Sequence, residues 1–146
     1  MISADSLFQL FNTLVLPAWL LLLLAPKWFI TQRLIIPGYV SLIIALAYTL
    51  LVIVYLPDAQ GDFQSLSNVA SLFQHPYALL AGWLHYLAFD LFIGAWMVQD
   101  AQKQNISHGW MWLCLPFCFM LGPIGLLLYF VIRSSYNKQF SLAGNN

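Results

Sequence analysis

Residues 77–98 read YALLAGWLHYLAFDLFIGAWMV, 22 positions with one formal charge, Asp90, and one histidine, His85. As a helix this run is ~33 Å long at 1.5 Å per residue, enough to cross a ~30 Å hydrocarbon core. Its apolar residues are continuous rather than alternating, which excludes a half-buried strand. Lipid offers no partner to a free N–H or C=O, so a spanning segment must satisfy its own backbone and be helical. Three further apolar runs, 7–24, 38–56 and 110–132, have the same character and lengths of 18, 19 and 23 residues. The rest of the chain agrees. Of its 146 residues 62% are hydrophobic and 7% charged, against roughly 45–50% and 25% in soluble domains. Five Lys and Arg balance five Asp, with no Glu. So few charges cannot make a polar skin, and they exclude a disordered segment, a coiled coil and a nucleic-acid-binding module. The expectation is an all-α polytopic membrane protein, a single domain over 1–146 made of a bundle of four transmembrane helices.

The joints fit that division. Asp5 or Ser6 is placed to cap the first helix, and Pro26 and Pro37 bracket its link to the second. The first run lacks the basic flank and small-residue cleavage site of a signal peptide, and no Arg- and Ser-rich leader precedes it, so it is expected to be retained. In the link 57–76, Phe63, Leu66, Val69, Ala70 and Phe73 recur at helical spacing, as in a short helix on the membrane surface. Pro76 suits the first turn of the third helix. An even number of spans puts both termini on one side, with Lys27, Arg33 and Lys103 opposite Arg133 and Lys138. That is a thin positive-inside signal, leaning toward termini that face away from the cytoplasm. Cys114 and Cys118 are four apart, so they share a helix face and read as small buried hydrophobes.

Polar residues inside the spans carry the chemistry. With Asp100 at an interface, Asp90 lies ~15 Å deeper, where a charge costs at least ~2.5–3.5 kcal/mol. Spanning a membrane does not require that expense, so Asp90 reads as functional. At ~100° per residue from His85, Phe89 falls near 40°, Asp100 near 60°, Tyr86 near 100° and Asp90 near 140°, all on one face. Desolvation favours a protonated Asp90 and a neutral His85, an acid and a base facing one apolar cavity. The alternative is that both only glue helices together by hydrogen bonds. A metal site is weighed too: His75, His85, Asp90, Asp100 and His108 have suitable donors, but their spacing matches no recognised signature. No metal is therefore expected. Pro116 and Pro123 break the fourth run, freeing the carbonyls of Trp112 and Phe119, beside Gly122 and Gly125, which permit close approach. Trp83, Tyr86, Phe89, Phe92 and Trp96 are candidates to line a pocket for a flat polyene, although core packing explains them equally well.

The string Trp83-Leu84-His85-Tyr86-Leu87-Ala88-Phe89-Asp90-Leu91-Phe92, with Asp100 ten residues after Asp90, resembles the core motif of the abscisic-acid-deficient-four-like (neoxanthin-synthase-type) membrane proteins. Leu16-Pro17, Ala25-Pro26, His108, Leu113-Cys114-Leu115 and Pro123-Ile124-Gly125 extend the resemblance over nearly the whole chain. It implies carotenoid chemistry, isomerisation of an epoxy-carotenoid to an allenic one, with no net redox change and no cofactor. Such a step needs an acid at the epoxide oxygen and a base for a vinylic proton. Asp90 and His85 fit those roles, with Asp100, His108, Tyr86, Phe89, Trp83 and Pro123 supporting or lining the substrate. The implied partners are the lipid bilayer and a hydrophobic polyene, with self-association left open. The implied place is a bacterial inner or photosynthetic membrane. The rival reading is a non-catalytic protein that binds a pigment or stabilises a membrane complex. A transporter is weaker, because four spans would need further copies to form a path.

Overall fold

The computed structural model describes residues 3–137, which are all-helical apart from their links. Three helices are long and apolar enough to cross a membrane: α1 (Ala4–Leu24), α2 (Tyr39–Tyr55, extended by a 3-10 turn to Asp58) and α4 (Pro76–Lys103). The cap of α1 is Ser3 rather than Asp5 or Ser6; its hydroxyl accepts the Ser6 amide at 3.1 Å. That leaves Asp5 in the first turn, where the helix dipole favours a negative charge. At the other end of α1 the terminal carbonyls lack helical partners. Thr31 Oγ1 donates to Ala25 O at 2.8 Å, and His108 Nε2 lies 2.8 Å from Leu23 O.

The core forms around α4. Its Leu84, Leu91, Met97 and Val98 are fully buried, against Val15 and Leu22 of α1 and Ile44 of α2. The outward residues of α2, including Leu42, Ile43, Leu46, Leu50 and Ile53, are all exposed. A helix apolar all round that shows such a surface is suited to lipid, not water. The link at 57–75 contains α3 (Leu66–Leu72). Leu72 is buried while Phe63 and Leu66 are exposed, the amphipathic arrangement that suits a membrane surface. Asp62 anchors this link. It accepts Asn68 Nδ2 at 2.9 Å and the Gln64 amide at 2.8 Å, which hold its carboxyl below the usual range.

The fourth apolar run departs from the expected single span. It folds as two antiparallel helices, α5 (Met111–Leu121) and α6 (Pro123–Asn137), joined at Gly122. Gly122 has φ +39°, and Pro123 has no N–H with which to continue α5. A Cβ on Gly125 would overlap the Cys118 backbone, so its absence lets α6 lie directly on α5. The open ends of the hairpin meet where Trp110 Nε1 donates to Tyr136 Oη at 3.1 Å. With 11 residues, α5 rises ~16 Å, about half a hydrocarbon core. The hairpin therefore enters from the end of the bundle that holds Lys103 and turns back midway along α4. Pro116 lies inside α5 without ending it.

This reversal corrects the distribution of charge. Arg133 is ion-paired to Asp100, with Nε 2.6 Å from Oδ2, and so lies at the same end as Lys27, Arg33 and Lys103. Lys138 falls outside the described residues. Residues 4 and 137 end up at opposite ends of the bundle, not on one side. Among the described residues the α3 end has no Lys or Arg and carries Asp5, Asp58 and Asp62. Under the positive-inside rule this distribution predicts the hairpin end on the cytoplasmic side. Cysteines introduced at Lys27 and Ser67, with the native pair removed, should label from opposite sides of sealed vesicles, Lys27 from the cytoplasmic one. Gly125→Ala should lower the melting temperature through a strain of about 1–3 kcal/mol. Gly109→Ala, whose Cβ meets only Ser107 Oγ at 3.5 Å, should leave it unchanged.

Candidate acid–base site

One face of α4 organises the site. Leu79, Gly82, Trp83, Tyr86, Asp90 and Asp100 lie within about 60° of Tyr86 around the helix. The hairpin covers the part of this face from Tyr86 to Asp100, through Phe119, Gly122, Tyr129 and Arg133. Beyond the hairpin tip the same face is uncovered. There α1, the end of α3 and α4 surround a cleft of about 540 Å³, with Phe8, Phe73, Leu79, Trp83 and Tyr86 among its walls. Gly82 gives the Phe73 ring room, since a Cβ there would come within 2.9 Å of it. Trp83 Nε1 donates to Asn12 Oδ1 at 3.0 Å and its ring packs 5.4 Å from Phe8, which fixes the aromatic wall.

Asp90 sits at the hairpin tip, next to the inner end of the cleft. It is 7% exposed, and Oδ2 has no hydrogen-bond partner among the described residues. A Cβ on Gly122 would lie 2.7 Å from Oδ1, so only a glycine admits the carboxyl at this point of the turn. The Asp90 carboxyl lies within hydrogen-bonding reach of the Tyr86 hydroxyl. Tyr86 Oη donates to Phe119 O at 2.6 Å, and Phe119 is the carbonyl that Pro123 leaves without a helical amide. Cys118 Sγ, 3.6 Å away, donates to the backbone carbonyl of Asp90. Tyr86 thus touches the cleft on one side and Asp90 on the other.

The remaining sequence candidates divide. His85 does not share the cleft. It is exposed on the α2 side of α4, with its ring 5.6 Å from Tyr48 and 4.7 Å from Phe89. Rotated ~140° from Asp90, it is separated by the body of α4, with α2 packed on one flank and the hairpin on the other. Phe89 is on that flank too, exposed. Asp100 is the hairpin anchor: it accepts Tyr129 Oη at 2.6 Å, Arg133 Nε at 2.6 Å and Arg133 Nη2 at 3.3 Å. His108 fastens its loop to the end of α1, and Pro123 starts α6. Among the described residues no three His, Cys, Asp or Glu side chains gather closely enough to hold a metal. Sequence reasoning missed Gly122 as the residue that shapes the space beside Asp90. It was visible as a Gly-Pro pair inside an apolar run.

A model of the ABA DEFICIENT 4-like family matches residues 6–129. The chain is 29% identical, over 94% of its length, to Protein ABA DEFICIENT 4, chloroplastic, of Arabidopsis thaliana. It spans 64% of that protein's length. No solved structure matches it. A match over residues 6–129, taking in the helices that build the cleft and the hairpin tip, settles the kinship: the chain belongs to the ABA DEFICIENT 4-like family.

Proposed function

We propose that the chain carries out a cofactor-independent acid/base isomerisation, or a related modification, of a carotenoid end group in the cleft between α1 and α4. The observation that carries this reading is the buried Asp90 carboxyl, whose Oδ2 is unpartnered among the described residues, one hydroxyl away from a largely apolar cleft that Tyr86 lines and that also carries Asp5. A protonated carboxyl at that position is a proton donor one hydroxyl from the cleft. The cleft volume of about 540 Å³ suits the ring of a polyene. Family membership and helices suited to a membrane support the same substrate class.

One carboxyl is enough for the balance of an epoxide-to-allene step. Asp90 gives its proton to Tyr86 Oη as that hydroxyl turns its own proton from Phe119 O to the epoxide oxygen, and the C–O bond opens. The carboxylate so formed takes the neighbouring vinylic proton by the same route, and the electron pair of that C–H bond completes the allene. The substrate keeps its atoms and oxidation level, and Asp90 ends protonated as it began. His85 does not need to reach the substrate in this scheme.

Pigment chromatography on cells that accumulate epoxy-carotenoids tests the reading. The native chain should produce a new isomeric peak, and Asp90→Asn should abolish it. Tyr86→Phe should lower the rate by about 10²-fold, within the usual contribution of a positioned acid or base. Unchanged pigments with a well-expressed native chain would refute catalysis. Retention of the peak by Asp90→Asn would remove Asp90 from the chemistry.

A further inference from the structure

The depth of the cleft bounds the length of what it can enclose. Its walls run from Asp5 and Pro76, in the first turns of α1 and α4, inward to Tyr86. From Pro76 to Tyr86 the helix rises about 15 Å, half of a ~30 Å hydrocarbon core. The hairpin begins there, since the Tyr86 hydroxyl donates to Phe119 O. Leu79 and Trp83, both exposed, leave the side of the cleft open to lipid. The cleft is thus a socket one leaflet deep, and a carotenoid with a ring at each end fills it with one half only.

Two further features choose among shorter molecules. Phe8, Phe73, Trp83 and Tyr86 supply aromatic walls, with the Trp83 indole fixed by Asn12 and the Phe73 ring seated over Gly82. Flat, fixed walls suit a rigid conjugated molecule better than a flexible acyl chain. At the rim stands Asp5, exposed, with no Lys or Arg among the walls. A carboxylate or phosphate headgroup is repelled there, whereas a hydroxyl finds an acceptor.

We propose that the cleft also binds a short polyene alcohol, about half a carotenoid in length, as a ligand in its own right. The ring of that molecule lies beside Tyr86, its polyene runs between Phe8 and Trp83, and its hydroxyl reaches Asp5 at the membrane surface. This is a binding site for a second class of ligand. It shares the cleft with the carotenoid reading above but does not rest on the proton transfer proposed there.

Titration of the full chain in zwitterionic lipid nanodiscs with all-trans-retinol tests it, read by energy transfer from tryptophan. The transfer should saturate at a single retinol per chain. Leu79→Phe, which narrows the cleft at an exposed position, should weaken retinol at least about tenfold, the loss of ~1.4 kcal/mol of contact. All-trans-retinoic acid, under mildly alkaline conditions where it is ionised, should bind about tenfold more weakly, the scale of one like-charge contact. Asp5→Asn should remove that difference. Hexadecan-1-ol, a flexible alcohol, should not displace retinol. Equal binding of the alcohol and the acid by the native chain overturns the proposal, as does displacement by hexadecan-1-ol. Transfer that never saturates and that Leu79→Phe leaves unchanged overturns it by assigning retinol to the lipid. Saturable retinol binding by a chain that isomerises no carotenoid supports this site and refutes the catalytic reading; isomerisation without retinol binding does the reverse.

Discussion

The ion pair between Asp100 and Arg133 fixes where the α5–α6 hairpin sits along α4, and the site depends on that register. Arg133 is 3% exposed and the Asp100 side chain 13%, so the pair is shielded from water. A pair of this kind contributes little net stability against an apolar replacement, but removing one member strands a charge at a cost of about 3–5 kcal/mol. Its value here is positional. The pair holds α6 at one height, with Tyr129 Oη donating to the same carboxylate oxygen as Arg133 Nε. About three turns further in, the turn at Gly122 then arrives beside Asp90.

A hairpin that stops midway leaves half of a groove unfilled. A complete fourth span would have covered Leu79 and Trp83 and left no cleft. The reversal instead leaves a largely apolar hollow and a freed backbone carbonyl near it, Phe119 O, which receives the hydroxyl of Tyr86 from the cleft wall. Irregular backbone at membrane depth is tolerated only where protein or a cavity satisfies it. Here the hydroxyl that satisfies it also faces the Asp90 carboxyl, so the packing requirement and the proposed proton path use the same atoms.

The three long helices were legible because continuous apolar runs of spanning length have few alternatives in lipid. Asp90 stood out in the sequence, since a charge at that depth is hard to explain by packing, and the structure places it buried at the hairpin tip. The freed carbonyl of Phe119 followed from Pro123 alone, and the structure shows its partner. The reversal at Gly122 was not legible from hydropathy, because α5 and α6 together are as apolar as one span and nearly the same length. Gly122-Pro123 with Gly125 was the local signal, but a kink reads the same way in sequence. Asp100 was placed among the site candidates because its ion pair requires the hairpin. His85 and Asp90 looked like neighbours because a ~140° arc was read as one face. The elements packed on each side, α2 and the hairpin, divide that arc.

The most direct test of this account is cross-linking by a short flexible bismaleimide between cysteines placed at Trp110 and Tyr136, with Cys114 and Cys118 replaced by alanine. The tips of those two side chains meet in a hydrogen bond across the open end of the hairpin, so their backbones lie within reach of such a linker. Treatment of native membranes should therefore give near-complete intramolecular cross-linking. A continuous fourth helix would hold the two positions ~39 Å apart at 1.5 Å per residue. Absence of the 110–136 cross-link, with both cysteines reactive from opposite sides of the membrane, would contradict the hairpin and with it the cleft beside Asp90.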